Sequence, residues 1–277
     1  MELYKYSGAG NDFIVMDGRS GDVSGYRQPE KICSLCSRKS GFLSADGRIG
    51  ADGLMILGTS DVVDFKMEFF NPDGSSGMMC GNGGRCIAAF ADYLGIRPAV
   101  GRAYLFEAPD GLHTAEIISR RGDSYIVRLK MIDVTEYRRE LDGWFVNTGT
   151  RHLVLFVPDV DKVDVDKVGR EYRWNPLFAP AGVNVNFVSA APGLRSIRVR
   201  TFEKGVEAET LACGTGITAS AIASYLRDGG SASAPVKYDV QARKDRLSVE
   251  FTPDGDLFRD VYLTGPAMTC SSGTGGV

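Results

Sequence analysis

Two short motifs, Cys80-Gly81-Asn82-Gly83-Gly84 and Cys213-Gly214-Thr215-Gly216, lie 133 residues apart in a chain of 277. Each opens an alanine-rich stretch with few charges that ends in Tyr-Leu, at Tyr93-Leu94 and Tyr225-Leu226. The likeness extends upstream. Gly10-Asn11-Asp12-Phe13-Ile14-Val15 resembles Gly149-Thr150-Arg151-His152-Leu153-Val154 at an offset of 139, and Gly50-Ala51-Asp52-Gly53-Leu54 lines up with Gly182-Val183-Asn184-Val185-Asn186 at 132. Three landmarks in one order at nearly one offset mark an internal duplication. Two similar halves are expected: 1–131 with the Cys80 motif, to which a segment 265–277 returns, and 132–264 with the Cys213 motif.

Short β-branched and aromatic runs bounded by Gly, Pro, Asp or Asn predict strands at 13–16, 54–57, 65–70, 103–106, 124–129, 152–157, 185–189, 197–202 and 247–251. Three segments predict helices: Glu30 to Lys39 after Pro29, Gly83 to Leu94, and Gly216 to Leu226. The scarcity of charge in the last two implies burial. The expected fold class is α+β, with two pseudosymmetric domains that each wrap strands around one buried helix. A cleft is expected where the equivalent motifs face each other, with a hinge near 131–137.

Composition narrows the function. With 43% hydrophobic and 24% charged residues the chain is a globular protein, long enough to bury a core without disulfide or metal staples. A net charge of −3 and no basic run longer than Arg138-Arg139 leave no electrostatic footprint for nucleic acid, so a small-molecule partner is expected. No apolar run has the length of a membrane span, and the start MELYKYSGAGNDF does not read as a secretory signal. The expected compartment is the cytoplasm, where the six cysteines stay as thiols. Only His113 and His152 are present, which disfavours a Ser-His-Asp site and a histidine-rich metal cluster; no metal is expected.

Cysteine before glycine at a helix start has a definite chemistry. The first-turn N–H groups have no partner within the helix, and the dipole places partial positive charge there. A thiolate at that point is stabilised, and the same N–H groups hold a carboxylate. Two such helix starts sharing one carboxylate would leave its α-carbon between two sulfurs. That is the arrangement of a racemase or epimerase: one thiolate removes the α-proton and the other thiol protonates the opposite face. Thiols suit the task because their ordinary pKa lies within reach of neutral pH.

At this point a resemblance becomes specific. SGAGNDF (7–13), GADGL (50–54), FFNPDGS (69–75), MCGNGGRC (79–86), GVNVNF (182–187), GVEAETLACGTG (205–216) and LTGPA (263–267) resemble the motifs of the diaminopimelate epimerases, in family order along nearly the whole chain. The resemblance implies cofactor-independent interconversion of LL- and meso-2,6-diaminopimelate, which feeds lysine and peptidoglycan synthesis, by a homodimeric enzyme without pyridoxal phosphate. It implies Cys80 and Cys213 as the acid–base pair, supported by Glu203 and His152. It further implies Gly81, Asn82, Gly214 and Thr215 as the backbone that holds the reacting carboxylate, and Asn11, Asn71 and Asn184 as side chains on the amino-acid ends.

Two departures fall at positions that the family uses for the non-reacting end of the substrate. Lys204 stands where arginine is common, keeping the charge but not the planar fork. Thr150-Arg151 stand before His152 where Asn-Pro is common. The tail from Met268 also lacks the family's aromatic and acidic ending. Two other readings compete: a racemase of another amino acid such as histidine or proline, and a non-catalytic amino-acid-binding protein. Cys33, Cys36 and Cys86 read as ordinary helix residues, Ile32, Leu35 and Cys36 forming one core stripe, and Cys270 as incidental.

Overall fold

The computed structural model describes residues 1–77, 79–232 and 234–274, with side chains to 270. Its chain divides into two compact units, Met1–Leu129 together with the chain from Gly265, and Lys130–Thr264. Of the segment 265–277, residues 275–277 lie outside the described residues.

The first unit contains β1 (Glu2–Gly8), β2 (Asn11–Asp17), α1 (Pro29–Cys36), β3 (Leu54–Gly58), β4 (Phe65–Phe70), α2 (Gly81–Tyr93), β5 (Ala103–Ala108), β6 (Gly111–Arg121) and β7 (Ser124–Lys130). The second contains β8 (Tyr137–Glu140), β9 (Gly143–Asn147), β10 (Arg151–Phe156), α3 (Val165–Arg173), β11 (Asn184–Ala190), β12 (Ser196–Glu203), β13 (Ala208–Thr210), α4 (Gly214–Arg227), β14 (Val236–Gln241) and β15 (Arg246–Asp254). A long last strand, β16 (Leu257–Thr274), serves both. Up to Thr264 it pairs with β15, and from Gly265 with β7 and then β1.

Strands of the first unit follow the hydrogen-bonded order β1-β2-β3-β4-β5-β6-β7-β16, and β16 returns to β1, closing a barrel. In the second unit the order is β8-β9-β10-β11-β12-β14-β15-β16, and an isolated bridge joins Val134, just ahead of β8, to Phe258 of β16. Parallel pairs fall at corresponding places: β2 with β3 and β4 with β5 in one unit, β10 with β11 and β12 with β14 in the other. The duplication read from three landmarks thus extends to strand order and direction.

The parallel pairs β2–β3 and β10–β11 are buried on both faces, which is why they read as continuous apolar runs, whereas β4, β5, β12 and β14 alternate. One face of β2 and β3, with Ile14, Met16, Leu54 and Ile56, packs on Ile32 and Leu35 of α1. From the other face Met55, with Met67 of β4, reaches the first turn of α2. In the second unit Leu153, Val185, Phe187 and Phe202 pack on Val165 of α3, and the opposite face meets α4. Both central helices are buried nearly all round. They begin at Gly81 and Gly214, two residues before the expected starts, because the cysteine itself is the cap. The first helix ends at Cys36, three residues short of the predicted Lys39. The charged helix α3 was not expected.

Candidate active site

Cys80 is the N-cap of α2. Its backbone is extended, its Sγ accepts the Gly83 N–H at 3.3 Å, and its carbonyl accepts the Gly84 N–H at 2.8 Å. Those two bonds engage the Gly83 and Gly84 N–H groups, and the Gly81 and Asn82 N–H groups stand ahead of them at the start of the first turn. The residue is exposed.

What lies beneath this helix start is a polar network. Asn82 donates through Nδ2 to Asn11 Oδ1 at 2.7 Å, and its Oδ1 accepts from the buried Arg85 at 2.6 Å. Asn11 donates in turn to Asp52 at 3.0 Å. Arg38 bonds both Asp52 and Asp12, and Asp12 pairs with the fully buried Lys5 at 2.8 Å. Burial raises the Asp12 carboxyl, but hydrogen bonds and charge from Arg38 and Lys5 outweigh it and hold the group below the usual carboxylate range. The β1–β2 turn needs glycine: a Cβ on Gly8 would stand 2.9 Å from both the Asn82 carbonyl oxygen and Cys86 Sγ. Ala9 and Gly10 complete that turn at φ 49° and 110°. Asn71 opens a second tight turn and donates to Ser75 Oγ at 3.0 Å.

Cys213 caps α4 in the corresponding way, with its carbonyl accepting the Ile217 N–H at 2.8 Å. Here the Sγ lies 3.4 Å from Thr215 Oγ1, and the residue is buried. Thr150 donates to Thr215 Oγ1 at 3.2 Å and bonds His152 Nε2 at 2.8 Å; Thr148 donates to the Thr215 carbonyl at 3.0 Å. His152 faces Asn186 through Nδ1 at 3.1 Å. Burial, with the positive charge of Lys204, lowers the His152 pKa to about 3, so the ring is neutral.

The structure therefore gathers Cys80, Gly81, Asn82 and Asn11 at one helix start, with Asn71 on a separate turn of the same unit. It gathers Cys213, Gly214, Thr215 and His152 at the other. Asn184 is buried, and both ends of its side chain serve backbone: Nδ2 donates to the Arg151 carbonyl at 3.0 Å and Oδ1 accepts the Lys204 N–H at 2.9 Å. Glu203 closes β12 beside Lys204. Sequence reasoning missed Asn186, although it follows Asn184 by two on one strand and so shares its face. It also missed the Thr150 hydroxyl as a partner of His152.

Burial pushes the Cys36 thiol up to about 12 and raises that of Cys86, as for inert core residues. Among the described residues no group of three or more His, Cys, Asp or Glu side chains is placed to hold a metal ion, and no helix is long and apolar enough to cross a membrane.

Known proteins share the sequence and the fold of this chain. The family model described as diaminopimelate epimerase matches residues 3–129 and 144–270. A diaminopimelate epimerase of Chlorobaculum tepidum is 42% identical over 97% of this chain and 98% of its own length. One of Flavobacterium psychrophilum is 40% identical over 96% of this chain and 97% of its own. Among solved structures, a Bacillus anthracis phenazine biosynthesis protein of the PhzF family shares the fold at a TM-score of 0.71 and 14% identity, covering 99% of this chain and 98% of that one.

Proposed function

Because the chain belongs to the diaminopimelate epimerase family, we propose that it is an isomerase interconverting LL- and meso-2,6-diaminopimelate with Cys80 and Cys213 as its acid–base pair and no cofactor. One thiolate takes the α-proton: the Cα–H bond breaks, an S–H bond forms, and the electron pair delocalises from Cα into the carboxylate. The other thiol gives its proton to the opposite face of Cα and is left as the thiolate. Total charge on the pair is unchanged, and the reverse reaction exchanges the roles.

The carboxylate gains charge as Cα loses its proton. First-turn N–H groups of Gly81, Asn82, Gly214 and Thr215 stabilise that charge more in the transition state than in the substrate. Asn11, Asn71 and Asn184 take the zwitterionic ends, where an amide offers donor and acceptor together. Glu203 and His152 support the thiols, and Lys204 meets the far carboxylate.

The observation that carries this reading is the duplicated cap. In two units of one topology, a cysteine followed by glycine stands at the N-terminus of the central helix. An inert thiol has no reason to recur there. Incubation of LL-diaminopimelate with the purified chain in D2O should yield the meso isomer with deuterium at the inverted α-carbon. Exchange into histidine, proline or hydroxyproline but not diaminopimelate would transfer the reading to another amino-acid racemase. Free thiols fit a cytoplasmic enzyme. Light scattering should give a homodimer, twice the chain mass of 29.9 kDa.

A further inference from the structure

We propose that Thr150 is a positioning residue for Cys213: its hydroxyl joins His152 to Thr215 in a run of hydrogen bonds whose donors all point to the Cys213 sulfur and favour its thiolate. The proposal rests on the reading of Cys213 as one of the two acid–base thiols.

Polarity in this run is set by groups whose hydrogens have no choice. Asn186 Oδ1 accepts from Thr201 Oγ1 at 2.9 Å and its Nδ2 donates to the Leu153 carbonyl at 3.3 Å, which fixes the amide. An amide nitrogen only donates, so His152 Nδ1 is the acceptor of the 3.1 Å contact. Neutral His152 then carries its proton on Nε2 and gives it to Thr150 Oγ1 at 2.8 Å. With that lone pair engaged, Thr150 directs its own hydrogen to Thr215 Oγ1 at 3.2 Å. Thr215 Oγ1 lies 3.4 Å from Cys213 Sγ, and since a thiolate only accepts, the Thr215 hydroxyl donates to it. Each donor is polarised by the one behind it.

The first unit supplies a contrast. Asn11 and Thr150 hold equivalent places in the repeat, as do Asn82 and Thr215. Their side chains are bonded in both units, but in opposite sense. Asn82 donates to Asn11, and Asn11 to the Asp52 carboxylate, so donors run away from the helix start. In the second unit they run toward it. The two residues that differ from their counterparts are hydroxyls, which can pass a hydrogen bond to sulfur. Ionisable groups around this corner are His152 on β10, Glu203 and Lys204 at the end of β12, and Glu136, which holds Asn147 just ahead of the Thr150 turn. The first turn of α4 has no acidic residue.

Thr150 is exposed, so changing it opens no cavity in the core. The test is the pH dependence of iodoacetamide labelling of Cys213, read by peptide mass spectrometry, with Cys80 in the same digest as reference. Thr150→Val should raise the Cys213 midpoint by about half to one pH unit, and Thr215→Val by about one to two. Thr150→Ser should restore the wild-type midpoint, and the acidic limb of kcat/KM should shift in step. Unchanged midpoints in both valine variants, or a serine variant that behaves like valine, would overturn the relay. A wild-type chain that places no deuterium on diaminopimelate would overturn the functional reading instead. The labelling midpoint needs no substrate and reports on the relay in either case.

Discussion

A Cβ built on Gly216 would fall 2.3 Å from Asn186 Oδ1, with His152 Cε1 only 3.3 Å away. The central helix therefore rests on this amide with no room for a methyl group. Gly83, its counterpart in the repeat, has no heavy atom closer than 3.4 Å to the same point, which is ordinary contact. Alanine in place of helical glycine normally gains about 1 kcal/mol. Gly83→Ala should show that gain or remain neutral in urea unfolding. Gly216→Ala should lose about 1–3 kcal/mol, because overpacking a rigid neighbour outweighs propensity. Equal stability of the two variants would refute the account.

His152 gives the fold a pH dependence whose sign is fixed. Its pKa is about 3 in the folded chain against an ordinary 6.5, so between those values the unfolded chain binds the extra proton. The contribution is complete above about pH 6.5 and is lost progressively as pH falls toward 3. At the full shift it amounts to roughly 5 kcal/mol. His152→Gln keeps a donor near the Nε2 position and cannot be protonated. Its unfolding free energy should therefore fall less steeply than that of wild type between pH 6.5 and 4; parallel slopes would show that the ring titrates normally.

Lys5 and Asp12 make a second test of burial. The lysine is fully buried and the Asp12 side chain is 10% exposed, so this pair is unlike a surface salt bridge. Asp12→Asn strands the ammonium and should cost about 2–4 kcal/mol. Adding Lys5→Met should recover most of the loss, since the charge that needed a partner is then gone. In wild type the Asp12 contribution is present above its unfolded pKa and disappears as pH falls through the lower folded value. A loss below 1 kcal/mol for Asp12→Asn would place the pair among screened surface contacts.

Much of this was legible in the sequence for a physical reason. A duplicated half repeats its motifs in order, and the buried central helices advertise themselves by the lack of charge. Apolar runs such as Leu54 to Leu57 stand out because both faces are covered. Less regular signals were passed over: β1 and β6 mix polar and apolar residues, and α3 is so rich in charge that only Asp164, its cap, and Val165 mark its start. The partners of the site residues were not legible at all. Arg38 reaches Asp12 and Asp52 only after the chain folds, and Asn186 meets His152 only because β10 and β11 pair in one register.

Solvent deuterium distinguishes two bases from one. If a single group both removed and returned the proton, label from D2O would enter substrate and product at comparable rates once that group had exchanged. With separate thiols, the proton delivered to the new face comes from a sulfur already equilibrated with solvent. The sulfur that faced the old hydrogen carries that hydrogen, so early return to substrate restores protium. Meso product should therefore carry deuterium while remaining LL substrate is still unlabelled at first turnovers, and the same asymmetry should appear starting from meso. Cys80→Ser and Cys213→Ser should each lower kcat by about 10²-fold or more, because a serine hydroxyl is too weak an acid to replace a thiol near neutral pH. Equal early labelling of both pools, or near-wild-type turnover by either variant, would leave one base sufficient and remove Cys80 or Cys213 from its assigned role.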